Sequence, residues 1–154
     1  MISFTVPGIP APKGSMRAIR TRKGKVAMKH DNARTEPWSL AVSWRAKQAM
    51  GPRPPIAGPV MLRVHFDMPR PKTVKREHPT AKPDVDKLLR AVLDAGTGIL
   101  WRDDAQVVSV MGRKRYADDV NGPHAHVIVM ALDPDEQQRA EDGTPATRIE
   151  LEDL

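Results

Sequence analysis

Hydrophobic and polar residues alternate in several short runs, the period of two that is typical of β-strands. In addition, residues 18–22 and 25–28 flank Lys23-Gly24, a pair that predicts a two-residue hairpin turn. Together these patterns predict six strands. The alternating runs outside the hairpin are residues 2–6, 60–68, 105–116 and 125–132.

A first helix is predicted over about residues 36–50. Thr35 can cap it, and Pro37 falls in the first turn, where proline is tolerated. We expect one face of this helix to enter the core, with Leu40 and Trp44 broadening its apolar surface. The stripe that shares one face consists of Trp38, Val42, Arg45 and Ala49.

A second helix is predicted over about residues 86–94, ending at Gly96 or Gly98, which suit a left-handed C-cap. The order strand, hairpin, helix, strand, helix, strand, strand is typical of an α+β fold. We expect a single domain over residues 1–132, with a mixed β-sheet packed against two helices. Residues 133–154 combine acidic residues with Pro, Gly and Gln, and we expect them to form a disordered tail.

Charge is distributed unevenly along the chain. Residues 1–83 contain 17 Lys and Arg against four acidic residues, a net charge of +13, whereas residues 84–132 are near neutral and residues 133–154 carry −6. Clustered Lys and Arg favour a polyanionic partner, because they release counterions from a phosphate backbone. A surface that serves only solubility is the alternative interpretation.

The basic residues expected to contact phosphate lie in the hairpin region, in the long loop 69–83 and at the start of the second helix. A loop of that length inside a compact domain is usually functional or mobile. The residues are Lys13, Arg17, Arg20, Arg22, Lys23, Arg70, Lys72, Lys75, Arg76, Lys82 and Lys87.

Several classes of protein are excluded by composition. The chain contains no cysteine, so it has neither a disulfide framework nor a thiolate zinc site. No segment has the roughly 18 to 20 consecutive apolar residues of a membrane span, and the first residues lack the pattern of a signal peptide. We therefore expect a cytoplasmic protein without a membrane partner.

Four aspartates form the most informative pattern. Asp84 and Asp86 follow Pro83, which favours extended backbone, and in extended chain both carboxylates point to one face. Two like charges this close need a neutralising cation, and oxygen ligands suit Mg²⁺ or Mn²⁺. Asp103 and Asp104 directly precede a predicted strand, and we expect them to return to the same face and complete a metal site.

Such a site suits phosphodiester cleavage, which needs a metal to activate water and a cation to stabilise the developing charge. Arg90 lies four residues after Asp86, on the same helix face. A purely structural interpretation remains open: Asp86 as an N-cap, Asp84 as a turn residue, and Arg90 pairing with Asp86 and Asp94 on the helix surface.

At these residues the sequence resembles the RusA family of Holliday-junction resolvases, whose phage and prophage members carry a KPDxDNLxKxxxDAL helix followed by a DDxQV segment. The first motif reads KPDVDKLLRAVLDA at residues 82–95, and the second reads DDAQV at residues 103–107. Residues 6–13 and 66–72 also fit. The resemblance therefore extends over about residues 2–132.

This resemblance implies a homodimeric, Mg²⁺-dependent endodeoxyribonuclease of bacterial or phage origin, with Mn²⁺ as a substitute, that acts in recombination and repair. Its substrate would be branched DNA, a four-way junction nicked on two opposed strands. The resemblance assigns the essential acids to Asp84, Asp86 and Asp104, with Asp103 beside them, and the helix cation to Arg90.

The sequence departs from the family pattern in three places. Lys87 replaces an Asn, Arg90 replaces a Lys, and residues 94–98 read Asp-Ala-Gly-Thr-Gly instead of Asp-Ala-Leu-Asn-Gly. Arg and Lys are not equivalent where a compact ammonium is needed. A catalytically inactive module that binds branched DNA is therefore one alternative. A metal-dependent nucleotide phosphohydrolase is another, although the basic hairpin and loop favour a long polyanion.

Overall fold

The structure is a computed structural model that describes residues 1–12, 16–20, 26–30 and 35–132, with side chains for residues 1–12 and 37–132. The predicted disordered tail lies outside these ranges. A short 3₁₀ helix occupies Asp104–Gln106. The other elements are β1 (Ile2–Pro7), β2 (Met16–Arg20), β3 (Val26–His30), α1 (Thr35–Met50), β4 (Val60–Met68), α2 (Val85–Gly96), β5 (Val107–Tyr116) and β6 (His124–Ala131).

Four strands form one mixed sheet in the order β1-β6-β4-β5, and β2 pairs with β3 in a separate two-stranded sheet. Strands β4 and β5 are parallel, and the other neighbours are antiparallel. Parallel neighbours need a crossover connection, which α2 provides. The predicted α+β class, with a mixed sheet and two helices, is confirmed. The crossover places the start of α2 after the C-terminal end of β4, and its end before the N-terminal end of β5.

The core lies between the two helices and one face of the sheet. In β4 the alternating residues Val60, Leu62, Val64 and Phe66 are fully buried, as the period of two predicts. The Trp38 ring of α1 lies 6.4 Å from the Phe66 ring. The residues that alternate with these in β4 have their side chains on the second face of the sheet.

Helix α1 has nearly the predicted bounds but a different buried face. Trp38 and Val42 are buried as expected, and Ala46 and Met50 complete the stripe. Leu40 and Trp44 are 65% and 64% exposed, so they lie outside the stripe that faces the core. Spacing by four residues keeps the observed stripe on one side of the helix, whereas positions 40 and 44 are rotated away from it.

The predicted turn at Lys23-Gly24 lies outside the described residues, and the described strands pair Arg20 with Val26. One local prediction needs correction. The strand predicted from residue 105 begins at Val107, because the preceding residues form the 3₁₀ helix. No helix in the described part of the chain is both long and apolar enough to cross a bilayer.

Candidate active site

The start of α2 carries the first two predicted acids. Asp84 is the N-cap residue in extended conformation, and its side chain accepts no capping hydrogen bond. Asp86 lies in the first turn of the helix, not in extended chain as predicted, so the period of two does not relate the two carboxylates. Both side chains are exposed. The positive end of the helix dipole favours negative charge here.

Two cations follow the first acids on this helix. The Lys87 Nζ lies 3.3 Å from the Asp84 carboxylate, and both side chains are about half exposed. Arg90 is exposed one helical turn after Asp86. An exposed pair such as Lys87–Asp84 contributes little to stability, and the carboxylates of Asp84 and Asp86 remain accessible.

The paired aspartates before β5 have different roles. Asp103 is the N-cap of the 3₁₀ helix, and its carboxylate accepts from the Ala105 N–H at 2.8 Å. Gln106 completes the capping box by accepting from the Asp103 N–H at 3.0 Å. Its amide nitrogen also donates to the carbonyl oxygens of Ile56 and Gly58, each at 2.9 Å. Asp103 therefore caps the 3₁₀ helix in this structure, and its role as a metal ligand stays a prediction.

Asp104 extends from this capped turn toward the end of α2. Its exposed carboxylate accepts a hydrogen bond from the Thr97 hydroxyl. The indole N–H of the fully buried Trp101 points at the same group, 3.3 Å from the Thr97 oxygen and 3.4 Å from the Asp104 carboxylate. The sequence patterns did not indicate functional roles for Thr97 and Gln106. The DDxQ spacing, which is that of a capping box, was the signal for Gln106.

The candidate acids lie at opposite ends of one helix. A rise of about 1.5 Å per residue separates Asp84 from Thr97, the hydrogen-bond partner of Asp104, by about 20 Å along α2. Over the residues whose side chains are described, no three His, Asp or Glu side chains lie close enough to hold one metal ion. Within one chain the structure therefore does not bring Asp104 to the face of Asp84.

The long basic loop is attached to the end of the sheet that carries Asp84. Lys114 of β5 donates from its Nζ to the carbonyl oxygens of Ala81 and Pro83, at 3.0 and 2.8 Å. Arg76 donates to the Tyr116 hydroxyl at 3.1 Å. The Arg70 guanidinium stacks over the same ring, 4.6 Å from its centroid, a cation–π contact. Exposed guanidinium groups and the first two acids therefore share one end of the sheet.

The structure describes some of the other residues that are predicted to contact phosphate and leaves the rest undescribed. Lys72, Lys75 and Lys82 are exposed in the loop. Arg17 and Arg20 lie in β2, but their side chains are outside the described residues. Lys13, Arg22 and Lys23 lie outside them altogether.

Comparison with known proteins assigns the chain to a family. Residues 7–130 match the family model described as endodeoxyribonuclease RusA. The chain belongs to the RusA family. It is also similar to the uncharacterized protein YqaN of Bacillus subtilis (strain 168), with 35% identity over 140 residues, which cover 83% of this chain and 94% of the relative. The RusA match includes both ends of α2 and the whole of β4 and β5, and it leaves out all of β1 except Pro7 and the last residue of β6.

In this RusA-family chain, the sheet face opposite the helices is basic, which sequence analysis did not predict. Arg63 and His65 of β4 lie on it beside Arg113 and Arg115 of β5. Partial burial lowers the pKa of His65, and the nearby positive charges of Arg115, His126 and the two other arginines lower it further. The alternate spacing of basic residues in both strands was the available signal.

Proposed function

We propose that this chain is a Mg²⁺-dependent endodeoxyribonuclease that resolves four-way DNA junctions by paired nicks, acting as a homodimer. The observation that carries the proposal is the pair of exposed carboxylates, Asp84 and Asp86, at the start of α2. They lie next to a basic loop that hydrogen bonds from Lys114 anchor on β5. Membership of the RusA family supports the reaction class.

The chemistry of the donor groups fits a hard divalent cation. Asp84, Asp86 and Asp104 are exposed carboxylates, and oxygen ligands of this kind are those Mg²⁺ prefers, with Mn²⁺ as a substitute. Asp103 is already engaged in capping the 3₁₀ helix. Asp84 and Asp86, at the start of α2, would hold the metal, which would supply activation of water and neutralisation of charge at the phosphoryl group. Asp104 lies at the other end of α2 and does not reach them within one chain.

The chain's own residues would bind and orient the DNA. Arg70 and Arg76 are fixed against Tyr116, so they present guanidinium groups to phosphates at lower entropic cost than mobile side chains. Arg90 projects from the same helix face as Asp86, one turn further along. A cation in that position stabilises negative charge that develops on the scissile phosphate.

One observation favours a second candidate, a module that binds branched DNA without cutting it. The ammonium group of Lys87 lies 3.3 Å from the Asp84 carboxylate. A positive charge there competes with a metal ion for the same oxygens. Both candidates bind branched DNA, and only the endonuclease cuts it.

A single assay separates the candidates. The purified protein is incubated with a labelled four-way junction, a linear duplex of the same sequence and a nucleoside triphosphate, with and without Mg²⁺. The proposal expects Mg²⁺-dependent nicking of the junction in preference to the duplex. Asp86→Asn should abolish nicking and leave junction binding intact, because binding rests mainly on phosphate contacts. Binding without nicking by the wild-type protein would support the inactive module, and triphosphate hydrolysis alone would reject both.

The homodimer is tested separately. A four-way junction offers two equivalent strands, so a protein with two-fold symmetry places one site on each. Light scattering should report about twice the chain mass of 17.1 kDa. A monomer that still makes paired nicks would contradict this part of the proposal.

A further inference from the structure

The face of the four-stranded sheet that lies opposite the helices is called the open face below. The Leu89 side chain of α2 lies over Gly112 of β5, and the Trp38 ring of α1 lies near the Phe66 ring of β4. Both helices therefore pack on the other face. Since side chains alternate along a strand, the open face takes the odd-numbered residues of β4 and β5 and the even-numbered residues of β6.

Basic residues of three strands come together on the open face. His65 of β4 pairs with Arg113 of β5 on one side and with His126 of β6 on the other. Neighbouring strands lie about 4.8 Å apart, so the α-carbons of these three residues fall within about 10 Å. Arg63 precedes His65 by two residues, about 7 Å along β4. These four residues form the basic half of the open face, and the other half, toward the start of β4, carries Met61, Met111, Ile128 and Met130.

The negative charge at the edge of this basic half is already neutralised. The open-face positions of the four strands include one acidic residue, Asp67. Its buried carboxylate accepts from Arg115 at 2.6 and 3.3 Å and lies 3.4 Å from the His124 Nε2. Three arginines against one carboxylate leave a net charge of +2 while the histidines are neutral. The surplus charge belongs to Arg63 and Arg113.

This arrangement is unfavourable in the free protein. Burial lowers the pKa of His65, and the charges of Arg115, His126, Arg63 and Arg113 lower it further. The Arg63 Nε is buried and has no hydrogen-bond partner among the described residues. Like charges on neighbouring positions of a sheet destabilise it, and a bound polyanion would remove that repulsion.

The basic half of the open face adjoins the basic loop. Strand β4 runs from Arg63 to Met68 and then enters the loop, where Arg70 and Arg76 contact Tyr116. The five residues from Arg63 to Met68 span about 17 Å, the length of about five base pairs at 3.4 Å each. A duplex that leaves the start of α2 along the sheet can therefore contact the loop first and the open face next.

We propose that the basic half of the open face binds the phosphate backbone of a duplex arm of the branched DNA, through Arg63, His65 and Arg113. The inference rests on the proposed function for the identity of the DNA, and it adds a second contact surface away from the start of α2. Contacts to phosphates carry no sequence information, so this surface raises the affinity for duplex without selecting the branch point. An acidic protein segment is the competing occupant.

The salt dependence of DNA binding counts the phosphate contacts. Arg63→Gln and Arg113→Gln should each reduce the slope of log affinity against log salt by about one unit. The reduction should be the same for a four-way junction and a linear duplex, both measured without divalent cations. Arg63→Lys, which keeps the charge, should retain the slope. The matched control is Lys47→Gln, which removes one charge from an exposed position of α1 and should leave the slope unchanged.

Two results of this titration would overturn the proposal. Unchanged slopes in both Arg63→Gln and Arg113→Gln would leave the open face to an acidic protein segment. An equal reduction in Lys47→Gln would show that the slope reports the total charge of the protein and not this surface.

Binding should also take up a proton at His65. A phosphate beside the imidazole favours its protonated form, so junction affinity should rise as the pH falls from about 7.5 to about 6, by up to about five-fold. The rise should be smaller in His65→Gln, and an equal rise in both proteins would remove His65 from the surface. The groups that face His65 are Arg63 and Asp67 on β4, Arg113 and Arg115 on β5, and His124 and His126 on β6.

An introduced cysteine locates the DNA without any activity of the protein. The chain has no cysteine, so an iron chelate attached to one introduced thiol generates hydroxyl radicals at a known position. Met111 pairs with Arg63 and is 45% exposed. A chelate on Met111→Cys should break the strands of the junction arms, and one on Lys47→Cys should not. No breaks from position 111, or equal breaks from both positions, would overturn the proposal.

These outcomes are distinct from those that test the proposed function. Nicking by the wild-type protein, with unchanged slopes in both arginine variants, would overturn the open-face surface and leave the endonuclease standing. If the wild-type protein does not nick, the proposed function fails, whereas reduced slopes and strand breaks from position 111 would still support the surface. In an active protein, Arg113→Gln should weaken binding and keep the nicking rate at saturating protein.

Discussion

The hydroxyl group of Thr97 donates a hydrogen bond to the carboxylate of Asp104, and so joins the end of α2 to the turn before β5. The bond orients the carboxylate and satisfies one of its oxygens. Trp101 supports the same pair from the core, since its indole N–H lies within 3.4 Å of both side chains. Thr97 is thus a positioning residue for a candidate metal ligand.

Removing this hydroxyl should affect the rate of cleavage more than DNA binding. Loss of a hydrogen bond that orients a metal ligand typically lowers activity about 10- to 100-fold. We expect Thr97→Val to lower the single-turnover nicking rate by that factor, with unchanged junction affinity, whereas Thr97→Ser should retain the rate. A Thr97→Val enzyme as fast as the wild type would show that Asp104 needs no support from α2.

Arg90 and Lys87 should differ in what they contribute. Arg90 shares the helix face of Asp86, so Arg90→Ala should reduce the rate of single-turnover cleavage on the order of 10² to 10³-fold. Arg90→Lys, which keeps a positive charge at this position, should keep or raise that rate. Lys87 lies beside Asp84 and is exposed, so Lys87→Ala should weaken junction binding and reduce its salt slope by about one unit. Cleavage at saturating protein and affinity at several salt concentrations measure the two effects. If Lys87→Ala abolished cleavage and Arg90→Ala left it intact, the roles of Arg90 and Lys87 would be reversed.

Arg115 should matter for stability because it compensates a buried charge. The Asp67 carboxylate is only 3% exposed, and the Arg115 guanidinium donates to both of its oxygens, at 2.6 and 3.3 Å. The hydrogen bond to Asp67 also raises the pKa of Arg115. Arg115→Gln should lower the free energy of unfolding by about 1–3 kcal/mol, because a buried acceptor loses its charged donor. Arg113→Gln, on the same face of β5 and exposed, should change it by less than about 0.5 kcal/mol. Urea unfolding of both variants checks the difference.

Acid should destabilise the protein in part through His65. Burial and neighbouring arginines lower its pKa from 6.5, so the folded state binds a proton less readily than the unfolded state does. The stabilisation that His65 contributes is therefore complete above the pKa of the unfolded state, 6.5, and is lost as the pH falls below that pKa. We expect the free energy of unfolding to decrease from about pH 7.5 to about pH 5.5, and to decrease less in His65→Gln. If the free energy of unfolding decreased equally in the wild type and in His65→Gln, His65 would not contribute to the destabilisation by acid.

Several features follow from local sequence alone. The alternation of residues 60–68 sets the bounds of β4 and its buried face, because side chains in extended chain alternate between two faces. The acids at residues 84 and 86 and the DDxQ turn are likewise readable as motifs. The face of α1 was predicted only in part, because Leu40 and Trp44 are apolar but lie on the side of the helix away from the sheet.

The sequence by itself determined the fold class, the RusA family and which aspartates are candidates for the metal site. The tertiary structure decided how they are related in space. Asp103 is engaged as a cap, Asp104 lies at the end of α2, and Asp84 lies at its start. Local patterns cannot give this separation, because it arises from the parallel crossover between β4 and β5, which sends α2 back along the sheet and holds its two ends apart.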